Sequence, residues 1–263
     1  MSELLAPAKI NLALVVGPTR PDGRHEVATV LQRISLADRI ALEQADELHV
    51  EGFADDTIVG RALEALAALA GTSPRWHVTI DKQIPVAAGL GGGSSDAAAA
   101  LRLANWTLNR PQNDRVLHAL AADLGADVPF FLTSGPQLAE GDGTLLSPLD
   151  VPQDYWILLL LPHGERKQST AAVYDAFSGE KGFDGRCAAL LRALALGDLP
   201  GLPPNDLASS PLAEELRAHG AFRADVSGAG PAVYGLFAEQ ADALAAHAAL
   251  SGAGRTWVAA PAW

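Results

Sequence analysis

The stretch that most constrains this chain is PVAAGLGGGSSDAAAAL, residues 85–101. Four of the five residues from Gly89 to Gly93 are glycine, and two serines, an aspartate and a run of alanines follow. Upstream, RWHVTIDKQIP (75–85) alternates apolar and polar residues as a strand does. Downstream, SSDAAAALRLANWTL has the composition of a helix. Ser94 or Ser95 is its expected N-cap, with Asp96 in the first turn where the helix dipole favours a carboxylate. A flexible Gly/Ser linker would lie between polar flanks and separate two domains. This run instead joins a strand to a helix. That arrangement turns backbone N–H groups and the positive end of a helix toward an anion. The stretch therefore reads as a phosphate-binding loop, with a tight structural turn as the alternative.

Two familiar phosphate loops are excluded. The dinucleotide pattern G-x-G-x-x-G requires glycine where Ser94 stands, and the P-loop requires a lysine that does not follow. Hydroxyls beside amides at Gly93-Ser94-Ser95 suit phosphate oxygens and a nucleotide-bound Mg²⁺.

The 263 residues, 49% hydrophobic and 19% charged, describe a globular chain long enough for one large domain or two modest ones. A net charge of −12 argues against a nucleic acid or an anionic membrane as partner. Small polyphosphates held by amides remain compatible with it. The single cysteine, Cys187, excludes an internal disulfide framework and fits a reducing cytoplasm. The apolar run WILLLL (156–161), stopped by Pro162, falls far short of the roughly 20 residues of a membrane span. Pro7, Lys9 and Asn11 interrupt the first apolar residues, so no signal peptide is expected.

Along the chain, strands are expected at 9–17, 27–34, 38–43, 75–85, 156–161, around 226–237 and at 255–260. Helices are expected at 55–71, after the glycine run, and at 114–125, 188–196, 211–219 and 239–250. ADVPFFL (126–132) reads as an apolar strand after a helix end, and GDLPGLPPND (197–206) as a loop. Irregular alternation of the two element types predicts an α+β fold, divided near residue 150.

Taken with its neighbours, the glycine stretch resembles the phosphate-binding motif of the GHMP small-molecule kinases. APAKINLALVVG, PDGRHE, GADVPFF, AEGDG and VSGAGPAVYG occur in that family's order and at similar spacing, so the resemblance spans almost the whole chain. Within the family it is similar to the branch that phosphorylates a diphosphocytidyl polyol on the non-mevalonate isoprenoid route. The resemblance implies a two-domain fold, an ATP-binding domain over 1–150 and a substrate domain over 151–263, with the active site in the cleft between them. It also implies ATP and Mg²⁺, small-molecule substrates only, and a monomer or homodimer.

By the same resemblance Asp127 is the general base and Lys9 its partner. From the residues alone, Lys9 is equally a strand-edge lysine facing water and Asp127 a turn aspartate. Asn11, Arg24, His25, Thr170 and Tyr174 match substrate positions, with Tyr174 placed to stack on cytosine. Asp56, Lys82, Pro85, Gly89, Gly91, Gly92, Gly93, Ser94 and Ser95 match ATP positions. Two residues depart from the pattern. Arg24 stands where an aromatic is expected, and a guanidinium plane also stacks on a base. Asp56 stands in place of asparagine. No metal ligands are assigned; the other six histidines fit no metal-ligand spacing such as H-E-x-x-H, and most read as surface or capping residues. Another small alcohol as acceptor, or a catalytically silent nucleotide-binding module, remains open at this point.

Overall fold

Two unusually long strands organise the N-terminal third of the chain. In the computed structural model, which describes residues 1–53, 58–164, 170–177 and 182–263, β1 (Ser2–Thr19) and β2 (His25–Gln44) are 18 and 20 residues long. The sequence predicts two strands where β2 is one, because the polar break at Ser35–Asp38 bends the burial pattern without ending the ladder. Next come β3 (His49–Glu51), α1 (Ile58–Leu69), β4 (Trp76–Asp81), α2 (Gly92–Thr107), α3 (Asp114–Leu124) and α4 (Val128–Leu132). They are followed by β5 (Gln137–Gly141), β6 (Leu145–Pro148), β7 (Trp156–Pro162), α5 (Thr170–Asp175) and α6 (Phe183–Ala195). The chain ends with α7 (Pro211–Ala218), β8 (Arg223–Val226), β9 (Val233–Phe237), α8 (Gln240–Leu250), β10 (Gly254–Ala259) and β11 (Pro261–Ala262). The class is α+β.

The chain divides into two compact units that interleave along the sequence. The first holds residues 1–8, 36–86 and 91–134, and the second holds 9–35, 87–90 and 135–263. A single cut near residue 150 does not describe these contacts. The reason is local: β1 and β2 are too long for one unit, and each contributes residues to both.

In the first unit the end of β2 pairs antiparallel with β4, Ile40 opposite Ile80 and Leu42 opposite Val78, while β3 runs parallel to β4. Alternation sends Trp76, Val78 and Ile80 inward, and His77, Thr79 and Asp81 outward. Helices α1 and α2 pack against one another. The buried stripe of α1 is Val59, Ala62, Leu63, Leu66 and Ala67. In α2 every buried position from Ala97 to Ala104 is alanine or leucine, and the short alanine side chains permit close approach.

In the second unit β2 pairs with β5 (Val27 opposite Gly141) and β5 with β6. A separate antiparallel sheet has the order β10-β7-β9-β8. Leu158, Leu160, Val233 and Phe237 from that sheet form a core with Leu216 of α7 and Ala243 and Ala246 of α8. The WILLLL run is thus a central strand. No helix among the described residues is long and apolar enough to cross a membrane.

Two local expectations are corrected. ADVPFFL is not a strand: Val128–Leu132 is a short helix with proline in its first turn, where the missing N–H costs nothing. Helix α2 begins at Gly92 with Gly91 as N-cap, so Ser94 and Ser95 lie inside its first turn and Asp96 beyond it. Gly91 adopts φ 70°, a left-handed conformation that serine avoids, and this places the helix start earlier than the hydroxyls suggest.

Candidate active site

Lys9 and Asn11 point the same way from β1, two residues apart, as a strand requires. Lys9 is buried, and its Nζ donates to Asn11 Oδ1 at 2.6 Å. Asn11 Nδ2 donates to Thr29 Oγ1 at 2.8 Å, and that hydroxyl donates to Ala13 C=O at 2.6 Å. The Asn11 backbone N–H donates to Ser227 Oγ at 3.3 Å, and the Ser227 hydroxyl donates to Gly89 C=O at 3.1 Å. Lys9 is therefore not a strand-edge lysine facing water. It sits in a polar network whose members fix one another's rotamers.

The late SGAGPA turn closes around this network, all within the second unit. Gly228 stands at φ 58°, and a Cβ there would press on Asn11 Oδ1 at 3.1 Å and Lys9 Nζ at 3.4 Å. A Cβ on Gly230 would overlap the backbone of Ala88 and Gly89, and one on Gly89, at φ 84°, would overlap Ser227 C=O. Ala232 N–H donates to Ala88 C=O at 3.2 Å, and Lys9 N–H to Leu90 C=O at 2.9 Å. Asn205 holds the turn from behind: its Nδ2 donates to Val226 C=O at 2.9 Å and to Gly228 C=O at 2.7 Å.

The helix start belongs to the first unit. Its first intrahelical bond runs from Ser95 N–H to Gly91 C=O at 2.9 Å, so the N–H groups of Gly92, Gly93 and Ser94 precede the ladder. Ser95 Oγ is buried and has no hydrogen-bond partner among the described residues. Behind this helix, Lys82 Nζ lies 2.6 Å from Asp38 Oδ2 and 2.7 Å from Asp96 Oδ2, both carboxylates being fully buried. Asp38 Oδ1 also accepts the N–H groups of Gln83 at 2.5 Å and Ile84 at 2.8 Å. Asp96 Oδ1 receives none from the described residues. Burial pushes the Asp96 carboxyl up to about 7, against the lowering effect of Lys82. Burial also opposes the charge on Lys82, but its two carboxylate bonds outweigh that and raise its pKa. The two upward shifts favour a neutral acid and a charged amine. They agree if one ammonium serves two carboxylates and Asp96, with fewer donors, bears the desolvation cost. Lys82 thus ties the glycine-loop helix to β2. Pro85 is half-buried in the connection from β4.

His25 Nδ1 lies 2.8 Å from Gly17 C=O. Its ring is 5.8 Å from Tyr174 and 6.0 Å from Phe177, which pack against Leu14, Val16 and Val27. Arg24 forms an ion pair with Asp142 at 2.6 Å on the surface. Burial opposes the negative charge of Asp142, but bonds from Thr144 and Arg24 outweigh it and lower its pKa. Asp127, half-buried, occupies the N-cap position of α4, where its side chain makes no capping bond. It belongs to the first unit, and Lys9 to the second. Asp56 lies outside the described residues. Thr170 opens α5, but its side chain lies outside them too.

The GHMP kinases N terminal domain family matches residues 57–135, and the GHMP kinases C terminal family matches 189–256. The 4-diphosphocytidyl-2-C-methyl-D-erythritol kinase of Geobacter metallireducens is 37% identical, over 98% of this chain and 96% of that protein. The protein of the same name from Nocardia farcinica is 41% identical over 95% of this chain and 89% of its own. A crystal structure of 4-(cytidine 5'-diphospho)-2C-methyl-D-erythritol kinase superposes with a TM-score of 0.84 at 34% identity, each chain covered completely. The chain belongs to the 4-diphosphocytidyl-2-C-methyl-D-erythritol kinase family of GHMP kinases. It is an ATP-dependent small-molecule kinase.

Within this member of the kinase family, sequence reasoning missed the residues that hold the named ones in place. Thr29 and Ser227 fix Asn11, Asn205 fixes the late glycine turn, and Asp38 fixes Lys82. Asp38 carried a readable signal, a lone carboxylate between two apolar strand segments. Thr29 and Asn205 carried none, because their partners are backbone and side-chain atoms far away in the sequence.

Proposed function

We propose that this chain transfers the γ-phosphoryl group of ATP to the 2-hydroxyl of 4-diphosphocytidyl-2-C-methyl-D-erythritol. The observation that carries this reading is identity of 37–41%, over 93–98% of the chain, to kinases named for that substrate. In this reading Asp127 accepts the proton of the attacking hydroxyl. Lys9, held by Asn11, places a positive charge against the alkoxide and the transferring phosphoryl group. The N–H groups of Gly92, Gly93 and Ser94 receive phosphate oxygens at the start of α2. Glycine at 89 and 91, both in left-handed conformations, sets the path of the loop.

The buried, unpartnered Ser95 hydroxyl fits a nucleotide-bound Mg²⁺ or the phosphate beside it. Mg²⁺ would neutralise charge on the phosphate oxygens as the γ-phosphoryl group leaves. Lys82, Asp56 and Pro85 belong to the ATP-binding set, and Lys82 acts there by fixing the helix through Asp96. Asn11, Arg24, His25, Thr170 and Tyr174 hold the diphosphocytidyl substrate. Tyr174 and His25 offer the ring faces a cytosine needs, and Arg24 exchanges its ion pair with Asp142 for the substrate. The ATP contacts fall in residues 1–150, while 151–263 supply Thr170 and Tyr174. Cys187 is a free thiol, which fits the reducing cytoplasm.

ADP release with ATP, Mg²⁺ and the diphosphocytidyl alcohol tests the assignment. Release should require the alcohol, and Asp127→Asn should lower turnover by about 10²–10⁴-fold while ATP affinity changes little. ADP release independent of the alcohol would contradict the substrate. Undiminished turnover in Asp127→Asn would contradict the general base.

A further inference from the structure

The outward face of β2, β4 and β3 in the first unit carries a side-chain cluster outside the residues proposed for the kinase reaction. Strand alternation puts Glu43, His77, Thr79, His49 and Glu51 on this face, while Leu42, Val78 and Ile80 point inward. Glu43 stands opposite His77 across the antiparallel pair. His49 stands opposite His77, and Glu51 opposite Thr79, across the parallel pair. His77 Nε2 lies 3.3 Å from Glu51 Oε1, and His49 Nε2 lies 3.7 Å from Glu51 Oε2. One ligand atom from each of His49, Glu51 and His77 falls within 4.8 Å of the others. A tetrahedral zinc ion bound at about 2.0–2.2 Å holds its N and O ligands about 3.4 Å apart. The one-atom-per-residue set spans up to 4.8 Å, so a small side-chain adjustment brings it to that spread.

Two further contacts distinguish the group from scattered surface polar residues. Glu43 Oε1 lies 3.4 Å from His77 Nδ1, which favours the ring proton on that nitrogen and a lone pair on Nε2. His77 Nε2 is shielded from solvent, and among the described residues it makes no hydrogen bond, its 3.3 Å approach to Glu51 Oε1 lying outside hydrogen-bond geometry. Thr79 Oγ1 donates to Glu51 Oε1 at 3.2 Å and fixes that carboxylate. Two of the three ligands therefore have an orienting neighbour, as metal-binding histidines and carboxylates characteristically do.

We propose that His49, Glu51 and His77 bind a borderline divalent cation of the zinc class, with water completing the tetrahedron and Glu43 and Thr79 as positioning residues. Imidazole nitrogens select this class over Mg²⁺ or Ca²⁺, which take oxygen ligands. An ion here would fasten the three-residue β3 to β4. No linear motif reveals the site, because its ligands meet only through strand pairing.

The test uses the full chain without an affinity tag, stripped with EDTA and titrated with zinc by calorimetry and with Co²⁺ by visible absorption. One zinc per chain and a tetrahedral Co²⁺ band are expected. His49→Ala/His77→Ala should abolish the band and weaken zinc binding by more than about tenfold, and Glu43→Gln should weaken it about tenfold. These side chains lie on the outer sheet face, and circular dichroism together with a His49→Gln/His77→Gln pair guards against a folding defect. Absence of stoichiometric binding would overturn the site, and so would equal affinity in either double variant. Unchanged affinity in Glu43→Gln would overturn its positioning role.

Discussion

The turn at Ser227–Ala232 closes on itself. Ser227 N–H donates to Ala232 C=O at 2.8 Å, Gly230 N–H donates to Ser227 C=O at 3.3 Å, and Asn205 takes up two carbonyls behind it. The helix start at Gly91–Ser95 is the reverse case. Its ladder begins with the Ser95 N–H, its Ser95 hydroxyl is buried without a partner among the described residues, and an ionic group, Asp38–Lys82–Asp96, holds it. Both stretches are rich in glycine, but the residue has different work in each. In the turn, glycine makes room for neighbouring backbone. At Gly93 a Cβ would meet, among the described residues, Ile58 Cδ1 at 3.6 Å, an ordinary van der Waals contact. A buried hydroxyl without a partner beside free helix-start N–H groups is a place where a ligand can supply one.

Changes to the anchors and to the two kinds of glycine can break or sharpen this contrast. The largest effect is expected from Lys82→Met, which leaves two buried carboxylates without their cation and costs about 3 kcal/mol or more. The cost should depend on pH with a definite sign. The Asp96 carboxyl is raised to about 7 in the folded protein, above its unfolded value, so the folded state keeps the proton longer. Its contribution to stability is full below the ordinary carboxylate range and is lost as pH rises through about 7. Urea melts of Lys82→Met and the parent chain should therefore diverge more at pH 8 than at pH 5. A pH-independent gap would contradict the shared-cation arrangement.

Next in size is Gly230→Val, where the Cβ overlaps Ala88 and Gly89. We expect a loss of about 2–3 kcal/mol. The partner experiment is Gly93→Ala, whose folded stability should stay within about 1 kcal/mol of the parent or rise, since alanine favours a helix. If the two variants melt alike, the distinction between the glycines fails. The smallest effect belongs to Ser95→Ala. Thermal stability should be unchanged, because the hydroxyl has no partner to lose, while affinity for Mg·ATP should fall about tenfold, the loss of one hydrogen bond to a charged group. Calorimetry with ATP checks it, and unaltered ATP affinity would remove Ser95 from the phosphate site.

Much of this was legible in the chain. The strand before the glycine run, the alanine-rich helix after it, the central WILLLL strand and the α+β class all follow from short-range pattern, and the structure has them. What escaped depended on distant partners or on single backbone conformations. The helix began at Gly91 because a left-handed φ, not a serine hydroxyl, sets its start. Val128–Leu132 became a helix because Pro129 suits a first turn, which an apolar run of that length conceals. Lys82 was placed by family pattern, yet its partners, Asp38 and Asp96, come from two other elements. The interleaving of the two units was hidden because nothing in a strand's alternation tells where it passes from one unit into the other.

The most direct test of the account is the product itself. Incubation of the chain with ATP, Mg²⁺ and 4-diphosphocytidyl-2-C-methyl-D-erythritol, followed by ³¹P NMR, should show a new phosphomonoester resonance growing in step with ADP. ADP without that resonance, or a phosphomonoester formed only when a different alcohol is supplied, would contradict it.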